Sequence, residues 1–236
     1  MVDYRQYCPV ARAAEIFADR WTPLIVRELL GGSRHFNELE RGLPRISRSL
    51  LASRLRRLED AGVIARRAAP PNTVDYELTA AGQGLGAVID ALGAWGARWA
   101  FGEPRPRELD PVLLLWRIHR RVKLELVPSP RLVFEFDFTG RHGRRLWLVL
   151  EPRQASVCLR PPGFNPDLVI RADLALFHEV WLRGADDFSR AARAGIITVE
   201  GAPGLARSLP RFFKWSPMAH FVKAASNPSV LTRRTE

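Results

Sequence analysis

The sequence predicts an α+β chain in two units, an N-terminal helical unit carrying a β-hairpin and a C-terminal unit in which strands and helices mix. Three observations carry this reading. Between Phe36 and Leu78, two short helical patterns precede two short alternating segments. A helical pattern ends at Trp99, and the prolines of Gly102-Glu-Pro-Arg-Pro-Arg107 forbid its continuation. From Arg131 the apolar period becomes strand-like. The units are expected at residues 1–103 and 104–225, with a flexible tail over 226–236.

In the first unit, Phe36-Asn-Glu-Leu-Glu-Arg-Gly-Leu43 reads as a short helix closed by Gly42, and Pro44-Arg45-Ile46 turns the chain toward Ser47, a helix N-cap. From Ser47 to Ala61, Leu51, Leu55 and Leu58 recur at i, i+4 and i+7, a stripe that must be buried, and Gly62 supplies the stop. Val63–Arg67 and Val74–Leu78 then alternate weakly like strands around the turn-rich Ala69-Pro-Pro-Asn-Thr73. This is the order of a winged helix-turn-helix. The outward face of the second helix and its flanks carry Arg45, Ser47, Arg48, Ser49, Ser53, Arg56 and Arg57, with Arg54 nearer the buried edge. Arginine pairs bidentately with guanine or clamps phosphate, and serine bonds either base edges or phosphate, so these residues suit a major groove. Arg48, Ser49 and Ser53 are expected nearest the bases, and Arg66 and Arg67 on the wing are expected at backbone phosphates.

Charge supports the same region. The chain carries a net charge of +11 and 36 Lys and Arg residues, a balance typical of partners that are nucleic acids or anionic surfaces. Residues 1–103 hold 14 Arg against 12 acids, but eight of those Arg fall within 41–67, where only Glu59 and Asp60 oppose them. Arginine is abundant throughout, since only three of the basic residues are lysine, so no single Arg is decisive. Spacing, cap, turn and wing agree with the charge, and that agreement is what counts.

The segments Cys8-Pro9, Arg20-Trp21-Thr22, Arg27-Glu28-Leu29, Phe36-Asn37-Glu38-Leu39, Arg54–Gly62 and Tyr76–Gly82 resemble the HxlR-type winged helix-turn-helix regulators over residues 5–101. The resemblance implies a cytoplasmic homodimer on a palindromic operator, with its dimer surface built from about Pro9–Ala18 and Thr79–Trp99.

In the second unit, Pro111–Val122 is expected to be helical, burying Val112, Leu115, Trp116 and Ile118, while Arg117, Arg120 and Arg121 stay solvated or reach a phosphate. Val133-Phe-Glu-Phe-Asp-Phe138 sets three Phe on one strand face, and Gly140–Gly143 turns into Leu146–Leu150. Further strands are expected at Ser156–Arg160, Asp167–Arg171 and Ile196–Glu200, and helices at Leu174–Leu182, Phe188–Ala194 and Gly204–Trp215. Over residues 112–215 this pattern, with Asp167–Asp173, Leu182-Arg-Gly184 and Ile196–Gly201, loosely resembles the sterol-carrier-protein-2-like fold. That resemblance implies an apolar tunnel for a lipid-like molecule, lined here by Phe134, Phe136, Phe138, Trp147, Phe177 and Trp181; a solid aromatic core is the alternative.

Other motifs carry less. Gly82-Gln-Gly-Leu-Gly-Ala87 fits a dinucleotide fingerprint, but no parallel strand follows in a βαβ unit and Thr79 already caps the helix. The five histidines show no metal-ligand spacing, no nucleophile elbow is visible, and neither enzyme activity nor a cofactor is expected. Two cysteines make no disulfide framework, and with no secretory leader or apolar run of membrane length the chain is expected in the cytoplasm, off the membrane. Cys8, just before Pro9 at the start of the first helix and near Arg5 and Arg12, is a candidate redox sensor, with a small apolar role at a dimer surface as the alternative. The expected function is a dimeric DNA-binding regulator tuned by an apolar molecule in the second unit. Its rivals are an electrophile sensor acting through Cys8, with a ligand-free interaction domain, and a lipid carrier with vestigial DNA binding.

Overall fold

The computed structural model describes residues 3–69, 73–128 and 130–225, and the expected tail over 226–236 lies outside them. The chain divides into two compact units, Met1–Leu92 and Gly93–Glu236, each with its own core.

The first unit begins with α1 (Pro9–Phe17) and α2 (Thr22–Leu30), then α3 (Phe36–Gly42) and α4 (Arg48–Asp60), the helix-turn-helix pair. Ser47 caps α4 by accepting from the Leu50 N–H, and Gly62, at φ +69, ends it in a conformation that a Cβ disfavours. The wing is β1 (Ile64–Ala69) paired antiparallel with β2 (Thr73–Leu78), with Ile64 opposite Leu78 and Ala69 opposite Thr73. Leu51, Leu55 and Leu58 of α4 pack with Ile25, Leu39, Leu43, Val63 and Ile64. The result is a winged helix-turn-helix. The single helix expected over Thr79–Trp99 is instead α5 (Ala80–Gly84) and α6 (Gly86–Trp99), broken where three glycines in five residues lower helix propensity. Thr79 accepts from the Gly82 N–H and donates to the Gly62 carbonyl at 2.6 Å. A Cβ on Gly82 would stand 2.2 Å from the Val63 carbonyl oxygen, so this glycine serves close packing against the wing rather than a phosphate.

The second unit is a five-stranded sheet with helices. Its elements are α7 (Pro111–His119), β3 (Leu132–Thr139), β4 (Arg145–Glu151), β5 (Gln154–Cys158), β6 (Leu168–Asp173), α8 (Leu174–Arg183), α9 (Ala185–Arg193), β7 (Thr198–Gly201), α10 (Pro203–Ser208) and α11 (Ala219–Ala225). Strand order is β5-β4-β3-β6-β7, parallel only between β3 and β6. Phe134, Phe136 and Phe138 share one face, with Leu148 and Leu146 opposite the first two on β4. Asp110 caps α7 and Asp173 caps α8, each carboxylate accepting two backbone N–H groups. Several expected bounds shift. The strand expected at Ser156–Arg160 lies at Gln154–Cys158. Helix α9 starts earlier than Phe188, because Gly184 at φ +100 breaks the chain immediately after α8. The helix expected over Gly204–Trp215 ends at Ser208 and passes through a 3-10 turn over Leu209–Phe212, since Pro210 has no N–H to continue an α-helical ladder. Helix α11 carries no signal that the periodicity reading used.

His178 on α8 is half-buried in this unit. Burial first, then the nearby Arg117, hold its imidazole down to about 4, against a bond to the Asp110 backbone that favours the charged form. Its folded value is therefore depressed below the unfolded one. The stability it contributes is fully present above about pH 6.5 and is lost as pH falls toward 4, by roughly 3 kcal/mol when complete. Urea unfolding of wild type and His178→Gln across that window checks this: the acid-side decline is expected to flatten in the variant, and parallel curves would contradict it.

Candidate nucleic-acid interface

Helix α4 is two-sided. Leu51, Leu55 and Leu58 are buried, while Arg48, Ser49 and Arg56 are exposed, as is Arg45 in the preceding turn, and Ser53 is half-buried. Arg48 stacks over the Phe36 ring at 4.8 Å and pairs with Glu40, so its guanidinium is held at the N-terminal end of α4. Ser47 uses its hydroxyl as the helix cap and lies 3.3 Å from the Ser49 hydroxyl. Its role in the free protein is to start the helix.

Arg54 and Arg57 are not presented outward. Arg54 donates from Nη2 to Asp19 Oδ1 at 3.0 Å, approaches Oδ2 through Nη1 at 2.8 Å, and donates from Nε to the Arg20 carbonyl at 3.3 Å. Arg57 pairs with Asp19 Oδ2 as well. The Arg54 side chain is only 16% exposed, and one carboxylate thus ties α4 to the corner between α1 and α2. Arg56, one position away, lies on the outer row and is exposed. Asp19 was missed by the sequence reading. Two arginines three apart on the edge of an apolar stripe were the available signal, because such a pair near a core needs an acid.

The wing carries its own charges. Arg66 and Arg67 are exposed, with Arg66 at 4.0 Å from Glu59 and Arg67 at 2.8 Å from Glu77. Arg34 also reaches Glu77, at 2.6 Å, and His35 lies 2.8 Å from Asp75, so the wing is bound to the start of α3. Glu38 of α3 accepts from the backbone N–H groups of Arg34 and His35. These contacts fix the wing relative to the helix pair without neutralising Arg45 or Arg56.

Cys8 is the N-cap residue of α1, a half-buried free thiol. Tyr7 and Val10 beside it are exposed. In the second unit, Phe134, Phe136, Phe138, Phe177 and Trp181 come together in one core, with Phe177 edge-on to Phe136 at 5.8 Å and to Phe138 at 5.3 Å. The space between Phe136, Phe177, Trp181, Phe188, Phe213 and Trp215 is about 10 Å³, room for a single water. Trp147 does not join them. It stands opposite Glu135 on the other face of the sheet and donates to Glu135 Oε2 at 3.0 Å.

A family model described as HxlR-like helix-turn-helix matches residues 16–103. The HTH-type transcriptional regulator YvaP of Bacillus subtilis (strain 168) is 37% identical over 97 residues, covering 40% of this chain and 90% of that protein. The chain belongs to the HxlR-like helix-turn-helix family. The HTH-type transcriptional regulator YodB of the same organism is 36% identical over 100 residues, 41% of this chain and 88% of YodB. The solved structure of the reduced form of YodB from B. subtilis aligns at 34% identity over 40% of this chain and 95% of that one, with a TM-score of 0.36. This HxlR-like chain is therefore a DNA-binding transcriptional regulator and not an enzyme. The family match ends at residue 103, so the second unit must be read from its own residues. No helix among the described residues is long and apolar enough to cross a membrane.

Asp19→Asn is expected to lower stability by about 1–3 kcal/mol, because it leaves two arginines beside the core with a neutral partner. It should weaken DNA binding as well, since α4 loses its tether. Urea denaturation with a binding titration checks this, and an unchanged midpoint would show that the tether is idle.

Proposed function

We propose that the protein binds operator DNA as a homodimer, with the N-terminal end of α4 in the major groove and the wing along the phosphates. The observation that carries this reading is the two-sided α4. Its apolar row is in the core, while Arg48, Ser49 and Arg56, with Arg45 before them, are left at the surface together with Arg66 and Arg67 of the wing. Arg48, Ser49 and Ser53 read bases, and Arg45, Arg56, Arg66 and Arg67 hold the backbone. Ser47, Arg54 and Arg57 contribute by shaping and aiming the helix.

The dimer reading is supported by α6. Val88, Leu92, Trp95 and Trp99 recur along one stripe of that helix, and Trp95 is 61% and Trp99 52% exposed. Tyr7 and Val10 at the start of α1 are exposed as well. A second copy of the chain would cover these side chains, and operator symmetry would follow from the two-fold axis. A cytoplasmic setting goes with this role.

The second unit would tune occupancy through an apolar molecule taken into the aromatic core around Phe136, Phe138, Phe177 and Trp181, in the manner of the sterol-carrier-protein-2-like fold it resembles. Room for one water means that such a molecule enters only as the core opens. Binding changes DNA affinity only if the opened and closed forms differ in it. Cys8 favours a second reading, regulation by oxidants or electrophiles, because this half-buried free thiol occupies the N-cap position of α1, next to the exposed Tyr7 and Val10.

In titrations on a cognate duplex and single-base variants of it, Arg48→Ala is expected to relax base preference, at about 1–3 kcal/mol for the contacted position, and Arg66→Ala to weaken every sequence alike. Equal losses on all sequences for both variants would remove α4 from the groove. Native mass spectrometry of the full chain should give a dimer that Trp95→Glu with Trp99→Glu converts to monomer, carrying extra mass when an apolar molecule is bound. A monomeric wild type contradicts the dimer, and a dimer free of adduct from every lipid-like compound tried contradicts the ligand.

A further inference from the structure

The second unit carries most of the net charge, 22 Lys and Arg against 13 acids over residues 104–236, outside the helix-turn-helix and its wing. Much of that charge is internally paired. Arg105 meets Glu108, Arg145 meets Glu135, Arg171 meets Asp137, and Lys223 meets Asp186. One region differs.

After α7 the chain runs through Arg120-Arg-Val-Lys123 and forms an antiparallel bridge, Val122 opposite Phe213. The Lys123 N–H donates to the Phe212 carbonyl and the Lys214 N–H to the Arg121 carbonyl, both at 2.7 Å. Phe213 is buried in the core and Val122 packs against it, which sets the register. In that register Arg121 stands directly opposite Lys214, and like charges so placed destabilise a pair of strands unless something neutralises them. Arg121 cannot swing away, because its Nε donates to the Lys214 carbonyl at 2.5 Å and to the Trp215 carbonyl at 3.0 Å. Burial, and then Arg120, press its guanidinium below the usual arginine range. Arg211 and Lys214 are exposed and Lys123 is half-buried. None of the three has an ion-pair partner among the described residues.

Arg121 and Lys214 are thus set side by side on backbone-bonded segments, with Lys123 and Arg211 on the same two segments, and such a group of cations suits an external anion. We propose that the ridge formed by Arg121, Lys123, Arg211 and Lys214 binds phosphates of the DNA duplex, giving the second unit its own sequence-independent contact with the operator's flanks. The duplex is the polyanion this regulator already engages, and the inference rests on that reading. The ridge would add affinity and salt dependence without adding base preference, since phosphate contacts carry no sequence information.

The test uses the full chain and a fluorescein-labelled duplex of random sequence, titrated by anisotropy between about 50 and 200 mM KCl. The slope of log affinity against log salt is expected to shrink by about two for Arg211→Gln with Lys214→Gln, and by about one for Lys123→Gln. Arg66→Ala, on the wing, runs alongside. If Arg66→Ala flattens the slope and the ridge variants keep the wild-type value, the ridge does not touch DNA and the inference falls alone. If wild type shows no salt-dependent binding, the DNA reading itself falls and takes the ridge with it. Ridge variants that lose binding to phosphatidylserine vesicles while keeping the wild-type DNA slope would overturn the proposal in favour of a lipid surface.

Discussion

The Asp19 carboxylate is the constraint on which the DNA-binding unit depends. It accepts from Arg54 and Arg57, two side chains of the helix proposed to read bases, and its own carbonyl accepts the Thr22 N–H that starts α2. Between those contacts lies Trp21 at φ +79, a left-handed conformation that a bulky residue adopts only when its surroundings enforce it. One acid therefore holds the corner between α1 and α2 and the orientation of α4 at once. Removing the apolar row of α4 would unfold the unit, whereas loosening Asp19 would leave it folded and badly aimed. Geometry within a fraction of an ångström is what base readout requires, so the second failure matters as much as the first.

Arginine in this chain has two fates, and composition does not separate them. Arg54 and Arg57 are structural because an acid lies within reach on the same side of α4; Arg56 is exposed because it lies on the outer row. The wing shows the same division in milder form, with Glu77 shared by Arg34 and Arg67. In the second unit Arg145 and Arg171 pair with acids across the sheet, whereas Lys123, Arg211 and Lys214 beside the Val122–Phe213 bridge have no ion-pair partner among the described residues.

Local chemistry was legible in the sequence. Ser47 and Gly62 bound α4 within a residue or two, because a cap and a left-handed stop act on their own neighbours. The Phe134, Phe136 and Phe138 row was legible for the same reason, since strand alternation is a property of consecutive residues. Contacts across distance were not. Asp19 and Arg54 are 35 residues apart, and nothing in either neighbourhood names the other. Trp147 stands in Leu146-Trp-Leu-Val-Leu150, a run without alternation, so its face could not be read until Glu135 appeared opposite. The break near Leu85 and the 3-10 turn at Pro210 followed from glycine and proline spacing that a purely apolar period ignores.

Two copies of α4 are proposed to read a symmetric DNA site. Selection of bound duplexes from a fully randomised library by the full chain, followed by sequencing, tests this. Enrichment of an inverted repeat is expected, with half-sites centred about one helical turn, or a multiple of it, apart. Recovery of duplexes with no shared motif, or of a lone asymmetric half-site, would contradict it.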